Sequence, residues 1–148
     1  MNPRNCEGRP GLRILEMWRF EHELDVRFRD CDPLGHVNNA VYLSYLEAAR
    51  FSWWRHTFGA AGFTTHGFII ARVEIDYRKP ALPGDRLIVR LRVDAIGTSS
   101  FHLVYEIANT RTREVIAEAR SVQVAYDYAQ GRSVSLSTDL RAKLETGL

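Results

Sequence analysis

The chain has 148 residues, the length of a single domain. Hydrophobic residues make up 45% of it and charged residues 26%, a composition typical of a globular protein with its own core. The net charge is +2 and both signs are interspersed, which excludes the basic stripe of a nucleic-acid-binding protein. No apolar run approaches the roughly 20 residues that span a bilayer. We therefore expect a cytoplasmic protein that binds neither nucleic acid nor membrane.

The N-terminal segment, residues 1–16, is polar, contains several Gly and Pro residues and lacks periodicity, which predicts a disordered tail. It also lacks the apolar stretch of a secretory signal. Residues 17–148 are predicted to form one domain. The two cysteines, Cys6 and Cys31, provide neither a disulfide framework nor a metal-ligand spacing, so we expect a reducing compartment and no metal site.

The first predicted strand covers residues 20–28 and leads into an acidic, turn-rich loop with the sequence RDCDPLGHVNN, residues 29–39. The helix that follows is predicted over residues 40–58, with Asn38 or Asn39 as its N-cap. Its apolar residues lie around nearly the whole circumference, which predicts a buried helix.

Four segments with alternating apolar and polar residues follow the helix, and they predict antiparallel strands with one buried face. They cover residues 68–77, 87–93, 101–107 and 115–128. A short helix is predicted near the C-terminus, over residues 136–144. One buried helix followed by such strands predicts an α+β fold in which a curved antiparallel sheet wraps around a central helix.

The junction between the loop and the long helix combines two features of a catalytic site. The start of a helix offers free N–H donors and a partial positive charge, which suit a developing oxyanion. Asp32 brings a carboxylate to the same place. Asp-Pro and Gly-His pairs are also ordinary turn and capping residues, so the residues alone leave a catalytic and a structural role open.

The segment from Val26 to Arg50, VRFRDCDPLGHVNNAVYLSYLEAAR, resembles the signature of the hot-dog acyl-CoA thioesterases of the 4-hydroxybenzoyl-CoA thioesterase type. It is most similar to their long-chain acyl-CoA branch, in which a His-Val-Asn-Asn run and a Tyr-Leu pair open the helix. A looser resemblance continues to about Tyr128. The resemblance implies the hot-dog fold and the hydrolysis of an acyl-CoA to a free carboxylic acid and CoA, without a metal or another cofactor.

The resemblance assigns a role to Asp32, and three further residues of the loop are candidates from their own chemistry. Asp32 is implied to act as a general base or as a nucleophile. The backbone N–H of Asn39 is expected to stabilise the oxyanion, and the amide of Asn38 to orient water or the substrate carbonyl. His36 is expected to serve as a hydrogen-bonding spacer or, as a functional residue, to position Asp32 or the thioester.

Three neighbouring residues are expected to stay outside the chemistry. Cys31 should face the opposite side of the extended loop, and the substitution Asp30→Asn is expected to cost little turnover. Glu47 lies about 12 Å further along the helix, too far to reach the same carbonyl group, and is expected to pair with Arg50.

The substrate contacts are predicted from aromatic and basic residues. Tyr42 and Tyr45 are expected to form walls of the core or of the acyl pocket. The thioesterase after which the resembled family is named has a basic cluster just before the fourth strand, whereas residues 95–100 of this chain, AIGTSS, contain no cation. Arg78 and Lys79 are the substitutes that we expect to contact the CoA phosphates, with solvated edge charges as the alternative.

Two other functions compete with thioester hydrolysis. Hot-dog enoyl-CoA hydratases carry an Asp-x-Asn-Pro-Leu-His loop, but here Asp32 replaces the Asn and Gly35 shifts the His. A non-catalytic acyl-CoA sensor would keep the pocket and lack the acid, and the presence of Asp32 speaks against it. Release of free thiol distinguishes the hydrolase from both.

The resemblance further implies a homodimer or homotetramer. A single sheet leaves an edge strand unpaired, and the resembled enzymes join two sheets edge to edge, with the acyl pocket between protomers. Ile88 and Val104, on otherwise polar strand faces, suit an additional face-to-face contact. The resemblance leaves two alternatives for the carrier, CoA or acyl carrier protein, and does not identify the acyl group.

Overall fold

The structure is a computed structural model that describes residues 17–62 and 66–148. The predicted tail at residues 1–16 therefore lies outside the described residues. No helix within the described ranges is long and apolar enough to cross a membrane. The strands are β1 (Phe20–Asp25), β2 (Phe68–Tyr77), β3 (Arg86–Ile96), β4 (Ser100–Asn109), β5 (Val115–Asp127) and β6 (Arg132–Ser133), and the helices are α1 (Val41–Phe58) and α2 (Thr138–Glu145).

The strands form one antiparallel sheet in the order β1-β3-β4-β5-β2, with the short β6 paired to β5. Register shifts interrupt three of the ladders, between Ile70 and Arg72, between Val93 and Ala95 and between Ile107 and Ala108. Such bulges bend a strand and increase its twist, which lets the sheet curve around a helix.

Helix α1 packs against the concave face of this sheet. Trp54, fully buried on α1, lies with its ring centroid 4.6 Å from that of Phe68 and 6.0 Å from that of Phe101. The inward positions of β3 and β4 are completely buried apolar side chains, among them Leu91 and Leu103. The predicted α+β fold, a curved antiparallel sheet around a central helix, is confirmed.

The predicted burial of α1 around its whole circumference is wrong for the single protomer. The sheet covers only one side of the helix, the side of Leu46, Ala49 and Trp53. Leu43 and Phe51 on the opposite side are 48% and 52% exposed. The helix therefore carries more apolar side chains than the sheet of one protomer buries.

Two boundaries differ from the predictions for local reasons. Strand β1 ends at Asp25 rather than at residue 28, because Phe28–Asp30 forms a turn of 3₁₀ helix. Helix α2 begins later than predicted because Ser137 acts as its N-cap, and its Oγ accepts a hydrogen bond of 3.1 Å from the N–H of Leu140.

Strand pairing decides which loops meet. Asp25 at the end of β1 pairs with Arg86, and Tyr77 at the end of β2 pairs with Ala117. The loop after β1, the end of β2 and the hairpin between β4 and β5 therefore lie at the same end of the sheet. The turn between β3 and β4 lies at the opposite end.

Candidate active site

The loop before α1 folds into a narrow hairpin that presents Asp32. Cys31 and Val37 form an isolated antiparallel bridge at its base. Inside this bridge the N–H of Asp32 donates to the carbonyl of His36, and the N–H of Gly35 donates to the carbonyl of Asp32, both at 3.0 Å. Gly35 has a φ of +87°, a left-handed conformation that glycine adopts without strain.

The Asp32 carboxylate is held by one hydrogen bond and otherwise faces a cleft. Its Oδ1 accepts a bond of 2.9 Å from the N–H of Leu34. Among the described residues no hydrogen bond is made to Oδ2, and the side chain is half-buried. The cleft has a volume of about 410 Å³ and is lined by Asp32, Leu34, His36, Val37, Asn39, Tyr42, Tyr77, Arg78, Lys79 and Pro80. One carboxylate oxygen is therefore available to water or substrate.

The turn that leads into α1 supplies a backbone donor to the same cleft. Asn39 lines the cleft and is exposed, and its N–H has no acceptor in the described part of the chain. Its carbonyl accepts a hydrogen bond of 2.9 Å from the hydroxyl of Tyr77. The peptide plane after Asn39 is thus tied to the end of β2, while the N–H before it stays free for a ligand.

Asn38 has a different position from the one predicted. Its Oδ1 accepts a hydrogen bond of 2.9 Å from the N–H of Ala40, and its carbonyl accepts one of the same length from the N–H of Val41. Asn38 is not among the residues that line the cleft. Its amide oxygen is used in the turn just before α1, so the predicted role in orienting water is not supported. The predicted N-cap at Asn38 or Asn39 is wrong, because Ala40 is the N-cap of α1 and no side chain of the described residues caps the helix.

His36 lines the cleft beside Asp32. Its Nδ1 lies 3.4 Å from the carbonyl oxygen of Val37, and no hydrogen bond between the His36 and Asp32 side chains exists in the described residues. This position fits the predicted spacer and gives no support to a contact that positions Asp32.

Asp30, two residues before Asp32, anchors the loop to the core. Its carboxylate is buried and accepts from the backbone N–H and the guanidinium of Arg27 at 2.9 to 3.2 Å, and from the hydroxyl of Tyr45 at 2.9 Å. Burial by itself raises the pKa of Asp30, but these hydrogen bonds outweigh burial and hold that pKa below its ordinary value. Nothing in the local sequence indicated this anchoring role.

Of the two tyrosines predicted as pocket walls, only one reaches the cleft. Tyr42 lines it and makes an edge contact with Tyr77, with the ring centroids 5.2 Å apart. Tyr45 does not line the cleft, because its ring is buried and its hydroxyl is used by Asp30. Burial and this hydrogen bond raise the pKa of Tyr45. The prediction that Tyr45 contacts substrate is therefore replaced by a structural role.

Tyr77 is a cleft residue that the sequence did not single out. It was visible only as the last position of an alternating strand pattern. Its hydroxyl bond to the Asn39 carbonyl depends on how β2 pairs with β5, which places the end of β2 over the start of α1. No local sequence signal could have revealed this contact.

The two predicted phosphate ligands line the cleft, but both are already paired. The guanidinium of Arg78 lies 2.9 Å from a carboxylate oxygen of Glu118, and the ammonium of Lys79 forms an ion pair with Glu114. Both are cations at the edge of the sheet with carboxylate partners, and these partners weaken the attraction of either cation for a further anion.

Cys31 points away from the cleft and packs against the hydrophobic core. Its Sγ lies 3.9 Å from the carbonyl oxygen of Arg27. Burial, followed by the charges of Asp30 and Asp32, raises the pKa of the thiol, so little thiolate is present at neutral pH. These contacts give no support to a nucleophilic role.

The predicted pair of Glu47 and Arg50 does not form. Arg50 turns inward, where its Nη1 lies 3.3 Å from the hydroxyl of Tyr105, which in turn lies 2.7 Å from Oγ of Ser121. Glu47 is exposed on the outer side of α1. The prediction was wrong because Arg50 lies on the side of α1 that faces the sheet, whereas Glu47 lies on the side that faces solvent.

Metal ligands are not assembled at this site. In residues 17–62 and 66–148 no group of three or more His, Cys, Asp or Glu side chains is placed to hold a metal ion. What the cleft offers is a carboxylate oxygen, a backbone N–H donor and aromatic walls, an arrangement suited to acyl transfer to water.

Sequence comparison finds relatives along most of the chain. Residues 26–144 match the family model of the thioesterase-like superfamily. The long-chain acyl-CoA thioesterase FadM of Escherichia coli (strain K12) is 30% identical over 128 residues, which are 85% of this chain and 97% of that protein. A 1,4-dihydroxy-2-naphthoyl-CoA hydrolase of Nostoc punctiforme (strain ATCC 29133 / PCC 73102) is 29% identical over 131 residues, 86% of this chain and 87% of that protein.

Solved structures include a similar fold. A thioesterase from Thermus thermophilus, crystallised with coenzyme A and zinc, superposes with a TM-score of 0.79 at 36% sequence identity. The match covers 89% of this chain and 96% of the other. The predicted hot-dog fold and the resemblance noted over Val26 to Arg50 are confirmed, and the chain belongs to the thioesterase-like superfamily.

Proposed function

We propose that the protein is an acyl-CoA thioesterase that hydrolyses its substrate to a free carboxylic acid and CoA. The observation that carries the proposal is the cleft at the start of α1. Within residues 17–62 and 66–148, one Asp32 carboxylate oxygen there has no protein partner and the Asn39 N–H has no acceptor. The names of the relatives support the same class of enzyme, a thioester hydrolase.

In the proposed reaction the thioester carbonyl oxygen accepts the Asn39 N–H. Asp32 either takes a proton from the attacking water or attacks the carbonyl carbon itself, in which case water later cleaves the resulting anhydride. The tetrahedral oxyanion is stabilised by the Asn39 N–H and by the start of the helix. Its collapse breaks the C–S bond, and the CoA thiolate leaves and takes up a proton. Both routes consume one water and need no cofactor.

We further propose that the site is completed in a cytoplasmic homodimer or homotetramer. Strand β2 is an edge of the sheet and exposes Ile69, Ile70 and Tyr77, and the outer side of α1 exposes apolar side chains as well. Pairing two β2 edges would cover these residues beside the cleft. Light scattering at micromolar concentration should report a dimer or tetramer, and a fully active monomer would contradict the shared site.

The function is tested by assaying thiol release from a panel of aromatic, branched and long-chain acyl-CoAs. Release of one thiol and one carboxylic acid per turnover is expected for at least one of them. Loss of enoyl absorbance without thiol release would identify a hydratase, and binding without turnover would identify a sensor. Asp25→Asn is a matched control for Asp32→Asn, because Asp25 is an exposed carboxylate at the same end of the sheet.

A further inference from the structure

The cations that line the cleft are poor candidates for holding a phosphorylated carrier. Lys79 is paired with Glu114, and Arg78 lies between Glu118 and Asp76, at 2.9 and 3.7 Å. The ammonium of Lys79 and the hydroxyl of Thr112 lower the pKa of Glu114, which keeps that carboxylate charged. An anionic ligand would have to compete with these carboxylates for the two cations. A nearby cation without a carboxylate partner would bind phosphate more readily.

The hairpin between β4 and β5, residues 110–114, lies beside this edge of the cleft. The backbone N–H of Lys79 donates to the carbonyl of Ile116 at 3.1 Å, and its side chain reaches Glu114, the last residue before β5. Arg111 and Arg113 are the exposed basic residues of this hairpin. Neither has a carboxylate within salt-bridge distance among the residues that the structure describes.

The hairpin is well ordered by its own hydrogen bonds. Asn109 is buried, and its Oδ1 accepts from the N–H of Arg111 at 2.9 Å and from the N–H of Thr112 at 3.1 Å. The Asn109 carbonyl accepts from the N–H of Arg113 at 2.8 Å. The two arginines are therefore displayed from a fixed turn, which reduces the entropy lost when they bind an anion.

Arg113 occupies a backbone conformation that favours glycine. Its φ is +62°, and it is the one residue other than glycine with a positive φ in the described part of the chain. A long side chain in this region costs conformational energy that glycine or asparagine would avoid. Strain of this kind clusters at functional sites.

A groove of about 490 Å³ opens beside Arg113 on the outer face of the sheet. Its apolar lining includes Ile88, Ala108 and Val115. The acids of the groove, Glu23 and Glu106, are paired with Arg86 and Arg90, respectively. The volume is within the range of small-molecule sites, and the combination of an apolar floor and the exposed Arg113 suits a nucleotide.

We infer that Arg111 and Arg113 bind the phosphates of the nucleotide part of CoA, with the adenine against the groove floor at Ile88, a refinement that rests on the proposed thioesterase function. The thioester then lies in the cleft at Asp32, and the pantetheine arm runs past Lys79 to the hairpin. Each arginine supplies charge-assisted hydrogen bonds to phosphate oxygens.

The test uses the full chain and a matched set of variants. The double variant Arg111→Gln/Arg113→Gly removes both charges, and glycine accepts the φ of +62° without strain. Arg113→Lys keeps the charge at the same place. Arg55→Gln is the control for loss of a surface cation, since Arg55 is exposed near the C-terminal end of α1, away from the cleft.

Calorimetric binding of CoA and of pantetheine gives the direct readout. The double variant should bind CoA about tenfold more weakly at low salt and pantetheine as wild type does, with a melting temperature no lower than that of wild type. Arg113→Lys should retain most of the CoA affinity, and Arg55→Gln all of it. In the thiol-release assay the double variant should show a higher KM for acyl-CoA with little change in kcat, and no change toward the acyl-N-acetylcysteamine thioester.

Other outcomes overturn the assignment of the nucleotide. In the binding experiment these are equal CoA affinity of wild type and double variant, an equal loss of affinity for CoA and pantetheine, and no CoA binding by wild type. In the activity assay it is a loss of rate that is confined to acyl-(acyl carrier protein) substrates. The proposed function fails separately: wild type that binds CoA through these arginines, yet releases thiol from no acyl-CoA, would keep the nucleotide site and exclude the thioesterase.

Discussion

The loop before α1 contains two aspartates, Asp30 and Asp32, that lie in opposite environments. On the inner side, the Asp30 carboxylate is buried and its oxygens accept four hydrogen bonds from Arg27 and Tyr45. On the outer side, the Asp32 carboxylate is half-buried and accepts one hydrogen bond, from Leu34. An acid whose acceptors are all satisfied stabilises the fold, whereas an acid with a free oxygen in a cleft is available for chemistry.

The largest effect is expected for Asp32→Asn, which keeps the shape of the side chain and removes the base or nucleophile. We predict that kcat falls by about 10²- to 10⁴-fold, while thermal unfolding stays as in wild type because the bond to Leu34 can be kept. Thiol release and a thermal melt on the same preparation measure both. A variant with near wild-type kcat would remove Asp32 from the mechanism.

Asp30→Asn should have the converse effect. It removes a charge that Arg27 and Tyr45 bind, and we predict a loss of about 1–3 kcal/mol in the free energy of unfolding. The kcat of the fraction that remains folded should stay close to that of wild type. Urea unfolding and active-fraction kinetics test this, and a loss of kcat as large as that of Asp32→Asn would erase the distinction between the two acids.

The stability contributed by Asp30 should depend on pH in a defined direction. Because the pKa of Asp30 is lower in the folded protein than the unfolded value of about 3.9, its contribution is fully present above that value. It is lost as the pH falls through the folded pKa. The difference in unfolding free energy between wild type and Asp30→Asn should therefore be constant from pH 7 to 5 and shrink below pH 4. A difference that grows on acidification would contradict the lowered pKa.

The smallest effect is expected for Tyr77→Phe. The substitution removes the hydrogen bond to the Asn39 carbonyl, which we expect to cost about 0.5–1.5 kcal/mol of stability. Turnover should fall only a few-fold, because the N–H of Asn39 is retained and merely less well fixed. Tyr128→Phe is a suitable control, since the Tyr128 hydroxyl likewise donates to a backbone carbonyl, that of Phe68, at a distance from the cleft.

The periodicity of the sequence was enough to predict the long helix and the strands in their succession along the chain. Alternation identified β2 to within its observed bounds, Phe68–Tyr77, and the apolar run identified α1 to within one residue. The junction of Asp32 with the helix start was predicted as well, because loop and helix are consecutive and their chemistry is local.

The contacts that could not be predicted all depend on pairing across the fold. Sequence could not tell that Asp30 is buried and Asp32 is not, because the 3₁₀ turn at Phe28–Asp30 interrupts the extended loop. The inward turn of Arg50 toward Tyr105 depends on which side of α1 faces the sheet. The nearness of the β4–β5 hairpin to the cleft depends on strand register.

The comparison of the two acids is tested most directly in one experiment on wild type, Asp30→Asn and Asp32→Asn. The rate of thiol release from the best acyl-CoA substrate is measured at pH 7 and divided by the fraction folded. The predicted result is an Asp30→Asn rate within a few-fold of wild type and an Asp32→Asn rate lower by at least about 10²-fold. Equal rates for the two variants, or an Asp32→Asn rate equal to that of wild type, would contradict the assignment of Asp32 as the general base or nucleophile of this cleft.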